Sequence, residues 1–111
     1  MDRRIELVIS KIETELAHPW ETAELAALVN LSASRFRHLF KEETGQTTSQ
    51  YLRDVRLQRA ELLLRTTFLS IKEVMSEAGL PSRSHFVQYF KRKYGLTPTA
   101  YRKRLAVFVS H

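Results

Sequence analysis

Two stretches, residues 32–53 and 82–103, carry matching residues fifty positions apart. Ser32 pairs with Ser82, Ser34 with Ser84, Phe36 with Phe86, Phe40 with Phe90 and Lys41 with Lys91, and then Gly45, Thr47 and Tyr51 pair with Gly95, Thr97 and Tyr101. In each copy the two Phe residues stand at i and i+4, with Leu39 or Tyr89 just before the second, which makes one buried helical stripe. Serine ahead of the first turn is a good N-cap, and glycine after the last is the usual left-handed stop. Just upstream the register moves by one, so that Asn30-Leu31 matches Gly79-Leu80 at an offset of 49. Both pairs suit a tight turn, because Asn and Gly tolerate positive φ. A chain patterned in this way is expected to fold as two related helix-turn-helix units.

The remaining periodicity fills in the other helices. A first helix is expected from about Asp2 to Ala17 on Ile5, Val8, Ile9, Ile12 and Leu16, stopped by Pro19, with Trp20 as an apolar plug. A second covers about Thr22 to Val29, capped by either Glu21 or Thr22, with Leu25, Ala26, Leu28 and Val29 facing inward. The third runs from Ala33 to Thr44. A long fourth, from Thr48 to Arg65, is apolar on two sides through Tyr51, Leu52, Val55, Leu57, Ala60, Leu63 and Leu64, as suits a helix between two packed units. Thr66 to Leu69 break the chain, and the Ser70-x-x-Glu73 capping box opens a fifth helix ending near Ala78. The sixth spans about Ser82 to Tyr94, and Thr97-Pro98 opens the seventh. Ala106 to Val109 form an apolar tail with no assigned partner. The expected fold class is all-α: seven helices forming two helix-turn-helix subdomains, residues 1–47 and 67–111, joined by a linker helix over 48–66.

Charge is distributed unevenly over this frame. Residues 1–50 hold six Lys and Arg against eight Asp and Glu, whereas residues 51–111 hold twelve against four. Seven of those cations lie between Arg83 and Arg104 with no acidic residue among them. A field of that sign attracts polyanions by counterion release, which gives affinity without sequence preference. The 111 residues contain no cysteine, which excludes disulfide frameworks, zinc fingers and thiol catalysis and fits a reducing compartment. No apolar run is long enough to span a bilayer, and the first ten residues lack a signal-peptide pattern. A cytoplasmic protein with no membrane partner, no cofactor and no metal is expected.

With the Phe stripes turned inward, the third helix points Ser34, Arg35, Arg37 and His38 outward, and the sixth points Ser84, His85, Val87 and Gln88 outward. One frame with two sets of outward residues is what a two-part sequence reader requires, because base edges are told apart by their donor and acceptor patterns. Helical periodicity also places Lys41 and Lys91 on these outward sides. The linker helix is about 27 Å long at 1.5 Å per residue, against about 34 Å between successive major-groove faces. Two readers on such a spacer are expected to reach neighbouring grooves with modest bending of the duplex.

The run Ser70-Ile71 through Ala78-Gly79-Leu80, then His85-Phe86, Phe90-Lys91, Gly95, Thr97-Pro98 and Tyr101-Arg102, resembles the DNA-binding domain of AraC/XylS-type transcription regulators, and the likeness covers essentially the whole chain. The resemblance implies seven helices, two helix-turn-helix subdomains bridged by one helix, and binding to bacterial promoter DNA that recruits or contacts RNA polymerase, as an activator is expected to do, with repression left open. Carried over by position, it implies base reading by Ser34, Arg37 and His38 on one helix and by Arg83, Ser84, Val87 and Gln88 on the other. Lys41, Lys91 and Arg92 are then expected on phosphates, as are Ser32 and Ser82 from the helix N-termini. Met75 stands where the family usually has Ala, Leu80 where Phe is common, and Pro81 is less usual; these bear on how the fifth and sixth helices cross.

Rival readings are weaker. The pair His38 and Glu42 at i and i+4 lacks a third ligand. No nucleophile with a base, phosphate-cradling loop or paired carboxylates supports an enzyme, and the alkylation-repair proteins that share this fold need cysteines. The alternative is a basic protein-interaction module that meets RNA polymerase or another acidic partner. No small-molecule ligand is expected in these residues. Any dimerisation is expected through a domain outside them, and a stand-alone regulator and a piece of a longer one both remain open.

Overall fold

The computed structural model describes residues 1–109, and side chains through Leu105. Its described residues form seven α-helices and no strand.

Helix α1 (Arg3–Thr14) begins where the Asp2 carboxylate accepts the Arg4 amide at 2.8 Å, and it buries Ile5, Val8 and Ile12. It stops three residues short of the expected Ala17. The reason is Trp20, whose indole N–H donates to the Glu15 carbonyl at 2.8 Å and so caps the last turn from beyond Pro19. Trp20 does pack against the core as a plug. Helix α2 (Thr22–Leu28) has Glu21 as its N-cap. Leu25 and Ala26 are buried and Val29 packs beside them, but Leu28 is 49% exposed rather than inward. On so short a helix the arc from Leu25 through Val29 to Ala26 is the inward one, and Leu28 falls about 100° away from its centre.

Asn30 takes the left-handed conformation at φ 58°, and the Leu31 amide returns to the Ala26 carbonyl at 3.0 Å. Helix α3 (Ala33–Thr44) starts on Ser32, whose hydroxyl accepts the Arg35 amide at 3.2 Å, and ends at Gly45. Helix α4 (Thr48–Thr66) opens with a reciprocal cap: the Gln50 amide donates to the Thr47 hydroxyl at 3.2 Å and the Thr47 amide to the Gln50 side chain at 3.0 Å. Helix α5 (Ile71–Ala78) has the expected capping box. There the backbone amide of Ser70, and secondarily its hydroxyl, hold the Glu73 carboxyl below its usual range. The turn after α5 repeats the first: Gly79 sits at φ 77° and the Leu80 amide returns to the Met75 carbonyl at 2.9 Å. Helices α6 (Arg83–Tyr94) and α7 (Pro98–Val109) complete the order. The apolar side chains expected at 106–109 lie outside the described ones.

The chain divides into two compact units, one over Met1–Val55 and the other from Arg56 onward, with α4 contributing to both. In the first, Leu52 of α4 is buried with Ile5, Val8, Ile12, Leu25, Phe36 and Phe40. In the second, Leu57, Ala60 and Leu64 of α4 are buried with Val74, Ala78, Phe86 and Phe90. The spacing of Leu57, Ala60 and Leu64 reproduces that of Ile5, Val8 and Ile12. The second half of α4 therefore serves its unit as α1 serves the first, and the repeat extends over three helices.

Two matched positions differ in polarity. Where the first unit buries Leu52, the second has Arg102, whose guanidinium donates to the carbonyls of Leu64 at 3.3 Å, Thr67 at 3.4 Å and Leu69. These are the acceptors left unsatisfied at the C-terminus of α4 and in the bend after it. Where the second unit buries Pro98, the first has Thr48, 5% exposed, with a hydroxyl that finds no partner among the described residues.

Replacing Arg102 by Ala is expected to destabilise the protein by about 2 to 3 kcal/mol in urea unfolding, and Lys is expected to restore little, because an ammonium cannot span three diverging carbonyls. Thr48→Pro, which copies the second unit, is expected to stabilise by about 1 kcal/mol through removal of the orphan hydroxyl and stiffening of the unfolded chain, read as a higher urea midpoint.

Candidate nucleic-acid interface

The outward side of α3 is fixed by what its other side must bury. Phe36 and Phe40, with ring centroids 5.6 Å apart, are fully buried, and Tyr51 of α4 meets Phe40 edge-on at 5.5 Å. The Tyr51 hydroxyl is pushed up by burial first and by the nearby Glu13 carboxylate second. With that side anchored, Ser34, Arg35, Arg37, His38 and Lys41 are all exposed, as the periodicity predicts. His38 Nε2 lies 3.7 Å from the Glu42 carboxylate on the same exposed side.

Helix α6 repeats the device. Phe86 and Phe90 lie 5.7 Å apart, and Tyr101 of α7 meets Phe90 edge-on at 5.4 Å. The Tyr101 hydroxyl is raised by burial and then by Glu61. Arg83, Ser84, His85, Gln88, Lys91 and Arg92 are exposed, whereas Val87 is half-buried and offers only an edge. Ser32 and Ser82 are both N-caps, so each hydroxyl already accepts an amide, from Arg35 and His85 respectively, and the Ser82 and Ser84 hydroxyls lie 3.3 Å apart.

The two helices end differently. The last turn of α6 carries Lys91, Arg92 and Lys93, with Arg92 stacked 5.5 Å from the Tyr89 ring and Lys93 5.9 Å from the Tyr94 ring. At the matched places α3 has Lys41, Glu42 and Glu43. Of the seven cations between Arg83 and Arg104, Arg102 is committed to backbone carbonyls and does not serve a surface field.

One feature escapes sequence reasoning. An open concavity of about 530 Å³ lies in the first unit against the outward side of α3, where Arg37, His38, Lys41 and Glu42 line it. Its other wall is hydroxyl-bearing: Thr22, and Thr47, Thr48 and Ser49 at the start of α4. The run of three hydroxyl residues opening a helix is visible in the sequence, but its position facing α3 is not. Among the described residues no cluster of His, Asp or Glu could hold a metal ion, and no helix is long and apolar enough to cross a membrane.

A family model described as a helix-turn-helix domain matches residues 25–104. The transcriptional regulator GadX of Escherichia coli O6:H1 is 37% identical over 99 residues, which make up 89% of this chain and 36% of GadX. The chain spans about a third of the length of the curated relatives it matches. Among solved structures, the DNA-binding domain of the global transcriptional factor AdpA, determined in complex with a target DNA, has a TM-score of 0.87 and 28% identity, covering 93% of each chain. A Chromobacterium violaceum transcriptional regulator with an AraC-type DNA-binding domain has a TM-score of 0.82 and 29% identity, covering 93% of this chain and 92% of its own. These proteins are transcription regulators, not enzymes.

Proposed function

The chain belongs to the AraC-type family of helix-turn-helix transcription regulators, and on that premise we propose that it reads promoter DNA in a sequence-specific way, with α3 and α6 in successive major grooves. The observation that carries this reading is the pair of helices held in one aromatic frame with different exposed chemistry. A repeat kept only for stability has no need of distinct outward residues.

In this reading Arg37 takes guanine O6 and N7 in a bidentate contact, Gln88 takes adenine, and the exposed edge of Val87 meets a thymine methyl. Ser34, Arg35, His38, Arg83, Ser84 and His85 complete the base-facing sets. Lys41, Lys91 and Arg92 hold phosphates, as do the cap hydroxyls of Ser32 and Ser82, and these contacts fix register without reading sequence. The 19-residue α4 is the spacer. Double-stranded promoter DNA is the direct partner and RNA polymerase the protein partner it brings the regulator to. The place of action is the cytoplasm, where bacterial promoters lie.

Arg37→Ala and Gln88→Ala are each expected to cost about 1 to 3 kcal/mol on the preferred site and to relax preference at one position, as measured by selection from random duplexes. Unchanged preference in both variants would remove the base-contact assignment. Lys91→Ala is expected to lower the salt slope of binding by about 0.9 while leaving preference intact.

A further inference from the structure

Glu42 is the one carboxylate in the lining of the concavity beside α3, on a side that otherwise suits phosphates. Its charge repels the groups that Arg37 and Lys41 attract. Helical periodicity carries Ser34, His38 and Glu42 along one side of α3, each about 40° on from the last. Glu42 stands in the last turn, whereas a helix of this kind reads bases from its first turns, so its carboxylate stays off the base edges. What it does reach is His38, whose Nε2 lies 3.7 Å away. Both side chains are open to solvent, His38 at 86% and Glu42 at 69%, so neither is held by the core.

Histidine is the side chain that changes charge within the physiological range. One turn away from His38 along α3 stand Ser34, Arg35, Lys41 and Glu42, and Arg37 shares the concavity. From the other elements the lining is Thr22 of α2 and Thr47, Thr48 and Ser49 at the start of α4, which carry no charge. In the free protein the three cations oppose an imidazolium and Glu42 favours it. In the complex Arg37 and Lys41 face guanine and phosphate, and the duplex adds negative charge of its own. Water also leaves the concavity, which strengthens the pull of a carboxylate at this distance. The matched residues of α6 are Gln88 and Arg92, which form no such pair. The histidine of α6, His85, has no carboxylate one turn away and meets the Tyr89 ring at 6.2 Å.

We propose that Glu42 is a positioning residue that holds His38 doubly protonated in the complex, with Nε2–H toward the carboxylate and Nδ1–H toward guanine O6 or N7. Base reading by the first unit is then coupled to uptake of a proton, a device the second unit lacks. The proposal rests on the DNA-binding reading above. Its sign follows from the bound form: the contribution is present at low pH and is lost as pH rises and His38 deprotonates in the complex.

The test compares duplexes selected from random sequence by the native protein at about pH 6 and about pH 8, at one ionic strength. The native protein is expected to bind its preferred duplex about five- to tenfold more tightly at the lower pH. Guanine preference is expected to rise with it at one position in the half of the site that Arg37→Ala relaxes. His38→Gln, which copies Gln88, is expected to lose the response. Glu42→Gln keeps the size of the side chain without its charge, and is expected to cut the response below about twofold. His85→Gln is expected to keep it in full. A native affinity that does not change with pH overturns the proposal, as does a response that survives in His38→Gln or is undiminished in Glu42→Gln. Sequence preference at both pH values with no response to pH refutes the proposal and leaves the DNA-binding reading standing. Absence of any preferred sequence at either pH is failure of that reading, and the proposal falls with it.

Discussion

Phe40 against Tyr51 at 5.5 Å, and Phe90 against Tyr101 at 5.4 Å, are the contacts on which both units depend. Each joins α3 or α6 to the helix after it, edge to face, and each such aromatic pair contributes about 0.5 to 1.5 kcal/mol beyond the area it buries. The geometric effect is larger than the energetic one. Once Phe36 and Phe40, or Phe86 and Phe90, are committed inward, the angular positions of Ser34, Arg37 and His38, or of Ser84 and Gln88, follow from the helical repeat alone. Outward residues can then differ between the copies at no cost to the core.

The same frame explains why α4 is continuous. Its first turns supply Tyr51 and Leu52 to the first unit, and its later turns supply Leu57, Ala60 and Leu64 to the second. A helix that closes one unit and opens the next carries both sets, and so it shows no single apolar stripe. The cost of joining two copies this way appears at its ends. At the C-terminus there is no glycine stop, and Arg102 with the hydroxyls of Thr66 and Thr67 satisfies the carbonyls instead. At the N-terminus the buried hydroxyl of Thr48 is kept without a partner among the described residues.

What the sequence revealed was whatever depends on near neighbours. The Phe stripes, the serine caps, the capping box of Ser70 and Glu73, and the left-handed turn residues Asn30 and Gly79 are all set within five residues of one another, so their outcome was readable in order. The outward residues of α3 and α6 were readable for the same reason, save Val87, which is half-buried. The end of α1 was not, because it is decided by a tryptophan beyond a proline. Leu28 was misplaced because so short a helix leaves the width of its inward arc to the neighbouring elements. Arg102 reads in the sequence as one more surface cation because its acceptors lie 33 to 38 residues earlier in the chain. The concavity was hidden by the same distance, since Thr22, the outward side of α3 and the start of α4 come together only in the folded unit.

The unequal charge of the two units acquires a physical meaning from the last turns of α3 and α6. Lys91, Arg92 and Lys93 complement the negative end of the α6 dipole and add to a field that a duplex feels from a distance. Glu42 and Glu43 at the matched places of α3 work against such a field. On the proposed reading the second unit supplies capture, which salt weakens steeply, and the first supplies contacts that form only when the duplex is seated in register. On that reading a basic protein binds DNA readily while its discrimination rests on the unit whose net charge does not favour DNA.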